Sequence, residues 1–190
     1  MASDIQINGG LVSTTDLSTY QAQQRKPLSG RFANHQVLTM PPPSSGGIAL
    51  LQMLGMLERF GILPDAYSTE YIHIVAQAMR RAFRDRAEYL GDADFVDVPV
   101  SRLLSMRHIS GLAHGLSVDM KVRTDDLPAK LPLLSESEQT THFTVIDCDG
   151  GVVSTTYTLN GSYGAAVISE NTGVILNNEM DDFTAKVGVP

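Results

Sequence analysis

The stretch Thr140-Thr141-His142-Phe143-Thr144-Val145-Ile146-Asp147-Cys148-Asp149-Gly150-Gly151-Val152-Val153-Ser154-Thr155-Thr156-Tyr157-Thr158-Leu159-Asn160 decides how this chain is read. Two runs rich in β-branched and aromatic residues flank Cys148-Asp149-Gly150. Such side chains sit well on a pleated surface and Asp-Gly favours a tight turn, so the stretch predicts a β-hairpin. Its register has two solutions. A three-residue loop with Gly150 left-handed pairs Asp147 with Gly151. Thr158 then lies directly opposite Thr140, with Cβ atoms roughly 4.5–5.5 Å apart, and Asn160 shares the face. A two-residue Asp149-Gly150 turn pairs Cys148 with Gly151 instead, and Thr158 moves to the other face.

Before this hairpin the pattern is helical. Ile48-Ala49-Leu50-Leu51-Gln52-Met53-Leu54-Gly55-Met56-Leu57-Glu58-Arg59 is apolar nearly all round, which predicts a buried helix closed by Gly61. The run Pro41-Pro42-Pro43-Ser44-Ser45-Gly46-Gly47 leads into it and reads as a stiff polyproline approach ending in two permissive glycines. A longer helix follows Pro64-Asp65, with Ser68 as N-cap. Its apolar face is predicted to be Tyr71, Ile72, Val75, Ala78, Met79, Ala82 and Phe83, with Gly91 as the stop. The arginines at 80, 81, 84 and 86 read as a solvated face. A smaller helix is expected from about Ser101 to Leu116, and polar, Pro-punctuated chain from Leu127 to Ser137. Nearer the N-terminus, Leu17 and Tyr20 suggest a short helix, and Arg31 to Met40 a strand around Val37 and Leu38. Val174-Ile175-Leu176 is a third apolar run after the hairpin. Helices first and strands after describe an α+β chain.

Composition narrows the function classes. With 190 residues, 43% of them hydrophobic, a sizeable core in one domain is the default. The net charge of −7 argues against a nucleic-acid partner, whose phosphates call for a basic stripe. One cysteine, Cys148, excludes an internal disulfide and a Cys-based zinc cluster. No run approaches the ~18 apolar residues of a membrane span, and no signal peptide is visible after Met1. Walker, dinucleotide, Gly-x-Ser-x-Gly and His-Glu-x-x-His patterns are missing. The five histidines are dispersed, and Asp92-x-Asp94-x-x-Asp97 lacks the central Gly and closing Glu of a calcium loop. No metal site or cofactor is expected.

The junction at Gln139-Thr140 carries more chemistry. A polar segment, Leu134-Ser135-Glu136-Ser137-Glu138-Gln139, leads abruptly into a strand that begins with two threonines. A Thr hydroxyl is a poor nucleophile until a base takes its proton, and no histidine spacing offers one. If the chain were cut before Thr140, the freed α-amine, with a pKa of about 7.7–8.0, would lie within reach of its own hydroxyl. A strand opening on Thr-Thr is also an ordinary structural feature, and local pattern alone favours that plainer reading.

Several blocks together resemble the γ-glutamyltranspeptidase (γ-glutamyltransferase) family. They are Pro41-Pro42-Pro43-Ser44-Ser45-Gly46-Gly47 with the Leu-Leu-Gln helix, Thr140 to Val145 with Asp147-x-Asp149-Gly150, Thr156-Tyr157-Thr158-Leu159-Asn160, and Leu176-Asn177-Asn178-Glu179-Met180-Asp181-Asp182-Phe183-Thr184-Ala185-Lys186. They occur in the family's order across nearly the whole chain. The resemblance implies part of the α-β-β-α sandwich of N-terminal-nucleophile hydrolases, incomplete in this chain. It implies autocleavage between Gln139 and Thr140. Residues 1–139 would then be the mostly helical end of a large subunit, and residues 140–190 the start of a small one, the two forming a heterodimer. Thr140 becomes the nucleophile, with Thr158 orienting it. Asn160, Glu179 and Asp182 match positions that hold the substrate's α-amino and carboxylate end. Substrates would be glutathione or other small γ-glutamyl compounds, and acceptors an amino acid, a peptide or water. Family members are commonly periplasmic or extracellular.

Two departures stand out. Gly161 replaces a residue that is more often small and polar. The family's downstream Ser-Ser and Gly-Gly pairs and its upstream substrate-binding Arg have no counterpart, so the length reads as a window on a larger enzyme. Two alternatives share the pattern: an acylase or amidase on the same scaffold (cephalosporin-acylase-like or poly-γ-glutamate-processing), and an inactive truncated product.

Overall fold

The computed structural model describes residues 1–119 and 139–182. The expected polar stretch from Leu127 to Ser137 and the end of the last family-like block, from Phe183 onward, lie outside the described residues. The chain divides into two compact units, one built from residues 24–119 and the other from residues 1–23 and 139–182.

The first unit is largely helical. It begins with an antiparallel pair, β1 (Leu28–Phe32) and β2 (His35–Thr39), in which Leu28 faces Thr39. The single strand expected from Arg31 to Met40 is therefore a hairpin. Ala33 and Asn34 at its tip both have positive φ, 47° and 66°, as a two-residue turn matched to strand twist requires. The proline run is a turn around Pro42-Pro43, whose peptide bond is cis, rather than a polyproline rod. Helix α3 (Gly46–Phe60) starts directly after it, two residues earlier than the apolar run suggests, and ends at Gly61 with φ 91°. Gly47 permits this approach, because a Cβ there would stand 1.9 Å from the Met40 carbonyl oxygen.

Helix α4 (Thr69–Tyr89) begins at the expected cap, with the Ser68 hydroxyl accepting from the Tyr71 amide. Its buried face differs from the predicted one. Ile74, Gln77, Ala78, Ala82 and Asp85 are buried, whereas Ile72 and Met79 are 57% and 43% exposed. The expected helix from Ser101 to Leu116 is two helices, α5 (Val100–Leu103) and α6 (Met106–Ala113). They divide at Leu104-Ser105 because the Ser105 hydroxyl accepts from the His108 amide and caps a new start. The core joins Ala49, Met56 and Leu57 of α3, Ile74, Ala78 and Ala82 of α4, and Ile109 and Leu112 of α6.

A polar hub sits beside this core. The Asp85 carboxylate, 2% exposed, accepts from Gln52 Nε2 at 2.8 Å, and its Oδ2 lies 2.5 Å from His108 Nε2. The same Gln52 nitrogen donates to the Leu103 carbonyl at 3.2 Å. One carboxylate and one amide thus connect α3, α4, α5 and α6. The shift in the buried face of α4 follows from this hub: Ile74, Ala78, Ala82 and Asp85 line up at helical spacing, and the face that carries Asp85 turns inward.

In the second unit, α1 (Ala2–Ile7) is tied to residues 169–171. Ser169 Oγ donates to Asp4 Oδ2 at 2.6 Å, and Asn171 Nδ2 donates to Oδ1 at 2.8 Å. The Ser169 hydroxyl, helped by Asn171, holds the Asp4 carboxyl below the usual carboxylate range despite the opposing effect of burial. Helix α2 (Thr14–Thr19) is closed by a reciprocal Ser13–Asp16 capping box. Strands β3 (Thr141–Ile146) and β4 (Val152–Tyr157) form the hairpin predicted from sequence. Val174 to Leu176 is not a strand. It contributes a single bridge between Ile175 and Ile168. Among the described residues no helix is long and apolar enough to cross a membrane.

Asp85→Ala removes the common acceptor of Gln52 and His108 inside the protein, so a loss of about 3–5 kcal/mol is expected in denaturant unfolding. Asp85→Asn, which keeps one oxygen, should lose less. For Asp4, a folded pKa below the unfolded one means stability that is complete above the ordinary carboxylate value and lost as pH falls below about 4. Protection of the amides in residues 2–7, measured against their intrinsic exchange rates at each pH, should therefore fall on acidification, and Asp4→Asn should flatten that dependence.

Candidate functional site

The β3–β4 hairpin adopts the first of the two registers. Thr141 pairs with Tyr157, His142 with Thr156 and Ile146 with Val152, while the Asp147 amide bonds the Gly151 carbonyl at 3.0 Å. The three-residue loop has Gly150 at φ 84°. Asp147 Oδ1 fixes the turn by accepting from the amides of Asp149 at 3.0 Å and Gly151 at 2.7 Å. Cys148 lies exposed in this loop.

This register sets Thr140, just before β3, against Thr158, just after β4. The Thr140 hydroxyl donates to Thr158 Oγ1 at 3.2 Å. The same Thr158 oxygen accepts the Asn160 backbone N–H at 2.9 Å. Asn160 itself is left-handed, at φ 70°, a conformation asparagine tolerates better than most residues. Its side-chain Nδ2 donates to the Asn178 carbonyl at 3.2 Å, and the Asn178 amide returns a bond to the Leu159 carbonyl at 3.1 Å. Glu179 follows immediately, its amide held by Asn177 Oδ1 at 3.0 Å, and opens a short 3₁₀ turn over Glu179–Asp182.

The structure therefore links Thr140, Thr158, Asn160 and Asn178 through one continuous series of hydrogen bonds, and Glu179 is the next residue in the chain. Asp182 enters only as the end of the 3₁₀ turn. Gln139 is exposed, two residues before the hairpin ladder begins at Thr141. Gly161 needs no special explanation: a Cβ there would meet Asn178 Oδ1 at 3.4 Å, an ordinary contact, so a small side chain fits equally well.

Asn178 is the residue that sequence reasoning missed. The available signal was an Asn-Asn pair, a frequent turn former, between an apolar run and an acidic turn. His142 occupies the polar face beside Thr140, with Nδ1 2.8 Å from Thr156 Oγ1 and Nε2 3.0 Å from Ser154 Oγ. Both ring nitrogens are engaged, so the imidazole is not aimed at Thr140. Among the described residues no group of three or more His, Cys, Asp or Glu could hold a metal ion. Within the Asp92–Asp97 loop, Asp94 pairs with Arg25, whose guanidinium holds its carboxyl below the usual range. A cavity of about 360 Å³ lined by residues of 4–8 and 166–170 shares no lining residue with this site.

Comparison with known proteins gives consistent matches. The Gamma-glutamyltranspeptidase family model matches residues 1–190. The chain is 43% identical to the glutathione hydrolase proenzyme of Escherichia coli (strain K12), a match covering 100% of this chain and 33% of that protein. The crystal structure of Helicobacter pylori gamma-glutamyltranspeptidase superposes with a TM-score of 0.62 at 34% identity, over 72% of this chain and 40% of that one. Cephalosporin acylase from Bacillus halodurans superposes with a TM-score of 0.73 over 99% of this chain and 33% of that one. At 21% identity, that likeness speaks to the fold alone. The chain spans about a third of the length of the curated relatives it matches.

The Thr140–Thr158 geometry depends on a left-handed residue at position 150. Gly150→Val places a β-branched side chain there and should cost the hairpin about 1–2 kcal/mol. Amide exchange across residues 141–146 is then expected to accelerate roughly 5–30-fold.

Proposed function

The chain belongs to the γ-glutamyltranspeptidase family, and from that premise we propose that Thr140 is the nucleophile of γ-glutamyl transfer and hydrolysis. The observation that carries the reading is the Thr140–Thr158 hydroxyl pair at 3.2 Å, placed by the hairpin at the point where a cut would make Thr140 an N-terminus. The activity belongs to a polypeptide of the relatives' length. Residues beyond this chain would supply the oxyanion donors, the remaining substrate contacts and the rest of an α-β-β-α sandwich. Phe143, Val145, Val153 and Tyr157, exposed on one side of the hairpin, would pack inside that sandwich.

Maturation comes first. Thr140 Oγ1 attacks the carbonyl carbon of Gln139, the C–N bond breaks as the nitrogen takes up a proton, and the resulting ester is hydrolysed by water. Residues up to Gln139 end in a carboxylate and become the end of a large subunit. Thr140 begins the small subunit with a free α-amine, whose usual pKa of about 7.7–8.0 suits a general base near neutrality.

Catalysis reuses the same oxygen. The α-amine accepts the Thr140 hydroxyl proton as Oγ1 attacks the γ-carbonyl of glutathione or another γ-glutamyl amide. The leaving amine departs with that proton and a γ-glutamyl ester remains on Thr140. Water, or the amine of an amino acid or peptide, then attacks the ester and restores the hydroxyl. Thr158 holds Oγ1 in position throughout. Asn160, Glu179 and Asp182 hold the α-amino and carboxylate end of the substrate, where acidic groups suit a cationic ammonium through charge-assisted bonds.

The test uses the full-length polypeptide carrying this chain. Intact-mass analysis should show fragments meeting at Gln139/Thr140, and γ-glutamyl-p-nitroanilide should be turned over. Thr140→Ala should abolish both, and activity surviving it would sink the nucleophile assignment. Thr158→Val, which removes one orienting hydrogen bond, should slow both steps by roughly tenfold.

A further inference from the structure

We infer that Asn178 is a positioning residue that sets substrate affinity through Asn160 and Glu179, separately from the nucleophile. The inference rests on the γ-glutamyl reading above. Asn178 makes hydrogen bonds to three consecutive residues at the end of the hairpin. Its amide donates to the Leu159 carbonyl at 3.1 Å and its carbonyl accepts from Asn160 Nδ2 at 3.2 Å. Its side-chain Oδ1 accepts the Gly161 amide at 2.9 Å.

These three bonds are not equivalent. The first two use Asn178 backbone atoms and would survive most substitutions. Only the third depends on the side chain, and it acts on the residue directly after the left-handed Asn160. With Asn160 at φ 70°, the chain leaves the direction of β4, and the Gly161 amide points to Asn178 rather than along the ladder. The Asn178 carboxamide therefore holds the far side of the bend that presents Asn160. The Asn178 backbone carbonyl orients the Asn160 side-chain amide, and the following peptide leads into Glu179. Two proposed substrate contacts far apart in sequence, Asn160 and Glu179, are fixed to each other through this one residue.

The nucleophile is set by different means. Thr140 and Thr158 meet because of the β3–β4 register and the loop at Gly150. Loosening the bend at residues 160 and 161 should disturb the group that holds the substrate's amino-acid end while leaving the hairpin ladder intact. The expected signature is a change in KM that spares kcat and self-cleavage. A general packing role would affect all three.

The experiment compares Asn178→Ala and Asn178→Asp in the full-length polypeptide, with γ-glutamyl-p-nitroanilide as probe. Ala deletes the acceptor for the Gly161 amide, and Asp keeps it. Asn178→Ala is expected to raise KM about five- to tenfold, the worth of one such bond, with kcat and the rate of cleavage at Gln139/Thr140 within about threefold of the unaltered protein. Asn178→Asp should restore KM to within about threefold. Should the Ala variant fail to accumulate, Asn178→Ser, whose shorter side chain does not reach the Gly161 amide, replaces it with the same expected split. An unchanged KM in an otherwise active enzyme overturns the inference and leaves the proposed function standing. Parallel losses in kcat and cleavage overturn it too, as does an Asp variant as impaired as Ala. An unaltered protein that neither cleaves itself nor turns over the probe removes the proposed function, and this inference with it.

Discussion

The meeting of Thr140 with Thr158 depends on the register of one hairpin. Side chains alternate faces with a period of two, so a slip of one residue would carry Thr158 away from Thr140 and break up the whole polar face. That face holds Thr140 against Thr158, His142 against Thr156, and Thr144 against Ser154, each pair joined through side-chain atoms. Thr141, Phe143 and Val145 take the opposite side with Tyr157, Thr155 and Val153. The loop enforces this arrangement twice, once by the left-handed Gly150 and once by the Asp147 carboxylate, which accepts two amides across the turn. A backbone device ten residues from Thr140 thus determines which hydroxyl Thr140 meets.

The helical unit is governed by a different constraint, a buried carboxylate in a mainly apolar setting. Asp85 is costly to desolvate, and the cost is offset only because Gln52 and His108 supply hydrogen-bond donors from two other helices. Such a hub adds less to stability than a well-packed apolar residue could. Its contribution is to geometry: α4 can satisfy Asp85 in only one rotation about its axis. That rotation exposes Ile72 and Met79 and buries Gln77 and Asp85, against the order of hydrophobicity.

This difference explains what was legible in the sequence. The extents of α3 and α4 follow from local signals, an apolar run and a Ser cap, and both lie close to the predicted spans. The inward face of α4 does not, because its decisive partners lie 33 and 23 residues away in sequence and the residue they satisfy is polar. Strand β1 was missed for a local reason: Leu28-Ser29-Gly30-Arg31-Phe32 has little β-branched character, and it turns back through Ala33, a residue seldom found at positive φ. In the site, the pairing of Thr140 with Thr158 was legible up to a choice between two turns. Asn178 was not, since its part depends on a left-handed Asn160 that no local pattern specifies.

The bonding around Thr140 also bears on where its proton can go. Thr158 Oγ1 accepts from the Thr140 hydroxyl and from the Asn160 amide, which engages both lone pairs of a hydroxyl oxygen. It can therefore hold and aim the Thr140 oxygen, but it has no remaining capacity to take the proton. His142, the nearest imidazole along the strand, has both nitrogens engaged by Thr156 and Ser154. On the proposed reading, the base is the nitrogen of Thr140 itself, which in an uncut chain is an amide and carries no useful basicity. Orientation is then built into the hairpin before maturation, whereas basicity arises only when the Gln139–Thr140 bond is broken. On that reading such a division would keep the γ-glutamyl chemistry off until processing.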